Sequence, residues 1–378
     1  MRMRLCAGVL VTTAWLLGAT ALWAQGAPAR PTTAAVASTP AQDALIKAGS
    51  DLHDQGKFDD AIAKYQEVLR QNPANVAALY ELAYSYVGKK DYTQAIATAR
   101  RGAQYASDLL PLFYDEIASA YDASGEPQKA VETYQQGIAL SPKASQLYYN
   151  LAVTYRQSLK QPAAARTALQ QALRIEPMLP SAHLLLGDAY QSSGNVTAAF
   201  LALSTFLLID PAGQDATQGY AWWRQSLKGG PAQPGVGGTD GAATMRTGGS
   251  APAAGSAAAA DAGGDVPYTA TDRQILVSHK LMMDRLESQM PEAEALIAQI
   301  DSVVQTLNTP PAGSSTSFSY RFYAPFYLEM RRRKFIEPYV YWVSQRAPVP
   351  NVREWLTANE PKVREFLQWA STYPWPTW

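Results

Sequence analysis

The chain is poor in reactive side chains. Its 378 residues hold 1 cysteine and 3 histidines. A single cysteine builds no disulfide framework, and so few cysteines and histidines leave little for a zinc site. No charge sign is in excess, because Lys+Arg 32 balance Asp+Glu 32. A nucleic-acid partner needs a surplus of Lys and Arg against phosphate, so none is expected. Charged residues reach only 17%, against about 25% in an average soluble domain. His53, His183 and His279 stand isolated, and no glycine-rich loop lies between a strand and a helix. Nothing suggests a catalytic triad or a metal set. The expectation is a protein without chemistry of its own and without a cofactor.

The N-terminus reads as an export signal. Arg2 and Arg4 precede an uncharged stretch from Cys6 to Ala24, which closes on Ala21-Leu22-Trp23-Ala24 before Gln25. A basic head, an apolar middle and a small-residue end are the parts of a secretory signal. Residues 1–24 are therefore read as a signal peptide cleaved after Ala24, which places the chain in the periplasm or outside the cell. The alternative is an inner-membrane anchor formed by uncleaved residues 6–24, a run of about 28 Å as a helix. Cleavage would leave a chain without cysteine, slightly acidic and with no stable membrane insertion, held together by its core alone. Residues 25–41, rich in Ala, Pro and Thr, are expected to be a disordered lead-in.

The next part of the chain repeats itself. Pro73, Pro142, Pro177 and Pro211 each end an apolar run, at spacings of one or two periods near 34, with Ser107 where a further proline would fall. The first unit reads Leu45, Gly49, Leu52, Gly56, Phe58, Ala61, Tyr65 and Pro73. The third reads Tyr114, Ile117, Ala118, Tyr121, Gly125, Ala130, Tyr134 and Pro142. The fifth reads His183, Leu186, Gly187, Tyr190, Gly194, Ala199, Leu203, Phe206 and Pro211. Five such units resemble tetratricopeptide repeats, helix–turn–helix modules of that period. The resemblance implies an all-α fold, a right-handed α-solenoid over residues 42–228 with residues 214–228 as a capping helix. Gly or Ala stands where paired helices approach most closely, and a larger side chain there overpacks the contact. Each hairpin exposes apolar surface that the next one covers.

Residues 229–266 are Gly, Ala, Pro, Ser and Thr with few large apolar groups, which predicts a flexible linker and no fixed geometry between its flanks. Residues 267–378 form a small helical module rich in aromatics. Within it, 321–346 has two readings: one helix kinked at Pro338, or a degenerate hairpin turning at Arg331–Lys334. In the hairpin Phe335, Pro338 and Trp342 take the places of Phe58, Ala61 and Tyr65. A last helix is expected near 351–372, kinked or broken at Pro361. The aromatics of this end form either a core or an exposed surface for a partner or a polysaccharide.

The resemblance also implies a binding surface. In such arrays the first helix of each repeat lines a concave groove that holds an extended peptide or a partner helix. Carried over position by position, the groove takes Asp43, Ile46, His53 and Asp54, then Tyr80, Tyr84 and Val87, then Asp115, Ser119 and Asp122. The fourth repeat adds Tyr149, Arg156 and Gln157, and the fifth Leu184, Asp188 and Gln191. Asn150 matches the asparagine that often holds a ligand backbone in this family. The cations that grip a C-terminal carboxylate in some members are absent. The expected partner is a protein or peptide segment, neutral to basic, with apolar side chains. The expected role is an adaptor or scaffold of the cell envelope; the alternative is a cell-wall or polysaccharide-binding accessory protein working through its aromatic C-terminus. A second candidate is the run Arg331-Arg332-Arg333-Lys334, read as a site for an anionic partner or as a solvated turn whose long arms cover nearby rings.

Overall fold

The computed structural model describes residues 28–228, 279–281, 283–286, 290–309 and 317–376. Residues 1–24 and 229–266, read above as signal and linker, lie outside the described residues. No helix among the described residues is long and apolar enough to cross a membrane.

Five helical hairpins follow one another: α1 (Pro40–Asp54) with α2 (Phe58–Gln71), α3 (Val76–Gly88) with α4 (Tyr92–Gly102), α5 (Leu110–Ala123) with α6 (Pro127–Leu140), α7 (Ser145–Gln157) with α8 (Pro162–Ile175), and α9 (Pro180–Ser192) with α10 (Val196–Ile209). Helix α11 (Ala216–Leu227) closes the row. Local sequence sets the helix starts. Thr39 caps α1 with a reciprocal Thr39–Gln42 pair, and Asn75, Asp91 and Asn195 accept from backbone N–H groups of the helices they open. Pro127, Pro162 and Pro180 occupy first turns, where the missing N–H costs little.

Within each hairpin the turn needs one left-handed residue. Gly56, Gly125 and Gly194 supply it at φ of 73°, 84° and 74°, while Lys90 and Lys160 adopt 65° and 56° at the same step. Between the paired helices the small residues are obligatory. A Cβ on Gly49 would lie 2.5 Å from Tyr65 Cε1, and one on Gly187 would lie 2.5 Å from Leu203 Cγ.

Residues 28–39 are ordered, contrary to the expected disorder. Strand β1 (Thr33–Ala34) pairs in parallel with β2 (Tyr105–Ala106), in the turn before the third repeat. Arg30 Nη2 donates to Leu140 O at 2.6 Å, and Asn72 Nδ2 donates to Val36 O and Ala37 O at 3.3 and 3.2 Å. The segment thus runs as a strap along the inter-repeat turns, and the backbone groups of these turns bind it where an Ala/Pro/Thr sequence has little apolar area to offer.

The C-terminal helices are α12 (Glu292–Thr306), α13 (Phe318–Arg332), α14 (Ile336–Val343), α15 (Val352–Ala358) and α16 (Glu360–Ser371). The region from 321 to 346 is a hairpin. Its turn copies a repeat turn: Lys334 N donates to Arg331 O and Phe335 N to Met330 O, as Gly56 N does to His53 O and Lys57 N to Leu52 O. That match shifts the expected register by one residue. Lys334, left-handed at φ 62°, takes the place of Gly56, so Tyr327 and Tyr339 stand where Gly49 and Ala61 stand. Their rings meet edge to face at 6.2 Å and fill the space that a true repeat closes. The last expected helix breaks at Asn359, and Pro361 sits in the first turn of α16.

These helices do not float free of the array. Helix α10 is apolar all round and buried along Val196–Leu208, because α9 and α11 cover one side and α13 and α14 the other. One hydrophobic core runs from the third repeat to Trp375. Polar contacts fix the joint. Tyr327 OH lies 2.9 Å from Thr205 Oγ1, and Tyr339 OH donates to Ser204 O at 3.3 Å. Trp342 Nε1 donates to Leu208 O at 2.9 Å and Arg346 Nη2 to Ala212 O at 2.7 Å, which satisfies carbonyls at and beyond the end of α10. His183 is fully buried between Pro177 O (2.8 Å from Nε2) and Tyr323 OH (2.9 Å from Nδ1). A carbonyl only accepts, so Nε2 carries the proton and Nδ1 accepts from tyrosine. Burial pushes this imidazole down to about 4.

Candidate partner-binding groove

First helices touch one another along the row, α1 with α3, α3 with α5 and α5 with α7, and this places them on the inner, concave side. The first two repeats present an aromatic ladder there. His53 stacks on Tyr84 at 4.5 Å and 17°, Tyr84 lies parallel to Tyr80 at 6.3 Å, and Tyr80 meets Phe113 edge-on at 6.1 Å. The ladder is ordered by helix geometry, since Tyr80 and Tyr84 are four residues apart on one face. His53 Nδ1 lies 2.8 Å from Ser85 Oγ, and burial lowers its pKa. Tyr84 stays 45% exposed, one of few large rings left to solvent. Ile46 and Val87 flank the ladder half-buried, while Asp43 and Asp54 are exposed near the two ends of α1.

The middle of the groove is acidic. Asp115 accepts from Asn150 Nδ2 at 2.6 Å, and Asp122 Oδ2 accepts from Thr154 Oγ1 at 2.9 Å. Ser119 Oγ lies 3.0 Å from Tyr134 OH. Glu81 and Glu116 complete the patch. Sequence reasoning missed both, although they occupy the same repeat position as Asn150 and that position was carried over only once. Burial and the nearby Asp115 and Glu81 raise Glu116 to about 8, and burial raises Asp115 to about 6 against the lowering effect of Asn150. Glu81 is raised as well, chiefly by burial.

The far end is internally engaged. Arg156 forms an ion pair with Asp188, and Gln191 Nε2 donates to Trp222 O of α11 at 2.5 Å. Asn150 holds Asp115, so its amide is committed within the fold. Tyr149 and Leu184 are half-buried against the core, and Gln157 is exposed at the end of α7.

The basic run of α13 is largely neutralised. Arg331 Nε and Nη2 donate to Asp301 at 2.8 and 3.1 Å, and Arg332 and Arg333 both bind Glu329 at 2.6 Å. Those hydrogen bonds, Arg332's first, hold Glu329 down to about 2. Arg333 also lies over the Trp369 ring at 5.7 Å, and Lys334 makes the left-handed turn. The C-terminal aromatics are mostly core: Phe322, Tyr323, Phe326, Tyr327, Tyr339 and Phe366 have no solvent exposure.

Residues 46–108, 116–177 and 158–216 match the family profile of the tetratricopeptide repeat. No curated protein matches the chain. Among solved structures it is similar to a thermophilic tetratricopeptide-repeat protein of Thermus thermophilus, at 20% identity over 49% of this chain and 98% of that one, with a TM-score of 0.38. It is also similar to pilF of Pseudomonas aeruginosa, at 18% identity over 50% and 89% and a TM-score of 0.39. A third is the TPR2AB domain of yeast Sti1 in complex with pHSP90, at 14% identity over 49% and 98% and a TM-score of 0.26. These likenesses are of fold.

Proposed function

From a chain that carries a tetratricopeptide-repeat array, a domain type that generally serves as a protein–protein interaction scaffold, we propose an adaptor of the cell envelope. It is exported by residues 1–24 and holds an extended segment of a partner protein in the concave groove. The observation that carries this reading is the aromatic ladder of the first two repeats, which leaves Tyr84 exposed on the groove. Tyr80 and Tyr84 offer large, stiff contact area with little conformational entropy to lose, the usual anchor of a protein interface. Recognition rests on groove side chains and shape. The polysaccharide reading has less to rest on, because Phe322, Tyr323, Phe326, Tyr327, Tyr339 and Phe366 are packed in the core and rings such as Trp342, Trp355 and Trp369 keep only part of their surface.

The reading is tested by placing a photo-reactive amino acid at Tyr84 and, separately, at exposed Gln128 on the opposite side of the third hairpin. A discrete adduct from the Tyr84 position alone is the expected result. Identical adducts from both positions, or none, would overturn it. Export has its own check: the purified protein should begin at Gln25, and an intact mass that includes residues 1–24 would contradict cleavage.

A further inference from the structure

Glu116 is 8% exposed and, among the described residues, has neither a hydrogen bond nor an ion pair. Burying a carboxylate without a partner is costly, and proteins generally avoid it. Two more carboxylates face the same space, Glu81 from α3 and Asp115 beside it on α5. The described donors to this group are neutral: the Asn150 amide to Asp115 and the Tyr65 hydroxyl beside Glu81. Arg156, the groove's one cation at the predicted positions, is paired with Asp188. The patch is therefore short of positive charge that the fold does not provide.

The geometry narrows what can provide it. Among the described residues no three acidic, histidine or cysteine side chains converge closely enough to hold a metal ion. The carboxylates do not converge as a metal set does, and Tyr80, its ring parallel to Tyr84, lies beside all three. Several separate acceptors beside an aromatic ring suit a flat, delocalised cation with several donors. The geometry points to Glu81, Asp115 and Glu116 as a subsite for an arginine side chain of the bound segment, with its guanidinium across the carboxylates and its methylenes against Tyr80. A lysine ammonium matches the charge but neither the separate acceptors nor the stacking, so it ranks second. The inference rests on the groove being the protein-binding surface, and it adds which residue of the partner is read there.

The test uses the full chain and a random library of displayed ten-residue peptides. Selection should enrich peptides with arginine at one fixed position, flanked by apolar residues. A synthetic peptide from that set should bind at least tenfold more tightly than its Arg→Gln version. In the variant carrying Glu81→Gln and Glu116→Gln, which keeps volume and removes charge, that preference should vanish while the Gln peptide binds as before. Enriched peptides without a basic residue that still lose binding in Tyr80→Ala would keep the groove reading and overturn the subsite. Equal preference for arginine in wild type and variant would overturn the subsite too. No enrichment at all would overturn both.

Discussion

Glu116 and His183 draw the fold's stability in opposite directions with pH. Glu116 holds its proton more tightly in the folded chain, near 8, than at its ordinary value of 4.5. Its stabilising effect is complete below the ordinary value and fades as pH rises toward 8. The groups that face it are Glu81 and Tyr80 from α3, Asp115 on its own helix and Tyr134 from α6, none of which carries a positive charge. Glu116→Gln should therefore raise the melting temperature most at the alkaline end of a scan from pH 5 to 8.5, and barely at pH 5. A uniform gain would mean that packing, not charge, sets the effect. His183 behaves conversely. Its folded value near 4 lies below the ordinary 6.5, so the stability tied to its neutral form is full above 6.5 and lost as pH falls toward 4. Tyr323→Phe leaves Nδ1 buried without its donor, at a cost of about 1–3 kcal/mol, readable as a lower urea midpoint at pH 7.

At the scale of elements, turn chemistry decided more than apolar pattern. Lys90 occupies a left-handed step that costs a side-chain-bearing residue about 1–2 kcal/mol, partly offset by the flexibility of glycine in the unfolded chain. Lys90→Gly should stabilise by about 0.5–1 kcal/mol, whereas Gly49→Ala, with Tyr65 in its path, should destabilise by about 1–3 kcal/mol. Both are measurable as shifts in denaturant midpoint. The same chemistry explains what was and was not legible in the sequence. The repeat array was plain from the spacing of prolines, small residues and tyrosines. The hairpin of α13 and α14 was legible but placed one residue off, because Phe335 mimics Phe58 while the left-handed Lys334 gives no sign of its conformation. The docking of the C-terminal helices was missed, yet a signal existed. VTAAFLALSTFLLI has no polar face, and a helix of that kind must be covered on every side. In the groove, the carried-over positions found the aromatic ladder and Asp115. Glu81 and Glu116 escaped because they matter through mutual burial, which no single repeat displays.

For the whole molecule, the C-terminal helices act as the array's second cap, applied from the side rather than the end. A chain stopped at Lys228 keeps all five hairpins but uncovers Phe200, Leu201 and Leu208 of α10. It should self-associate and lose helical signal at lower temperature than the full chain, as sedimentation and circular dichroism would record. A monomer of unchanged melting point would show the cap to be dispensable. The strap of residues 28–39 has a different consequence. It runs back along the turns from the first repeat, so Arg30 lies beside the end of the third hairpin and not at the tip. A grip on Pro28–Arg30 would therefore hold the array near its middle rather than at its tip.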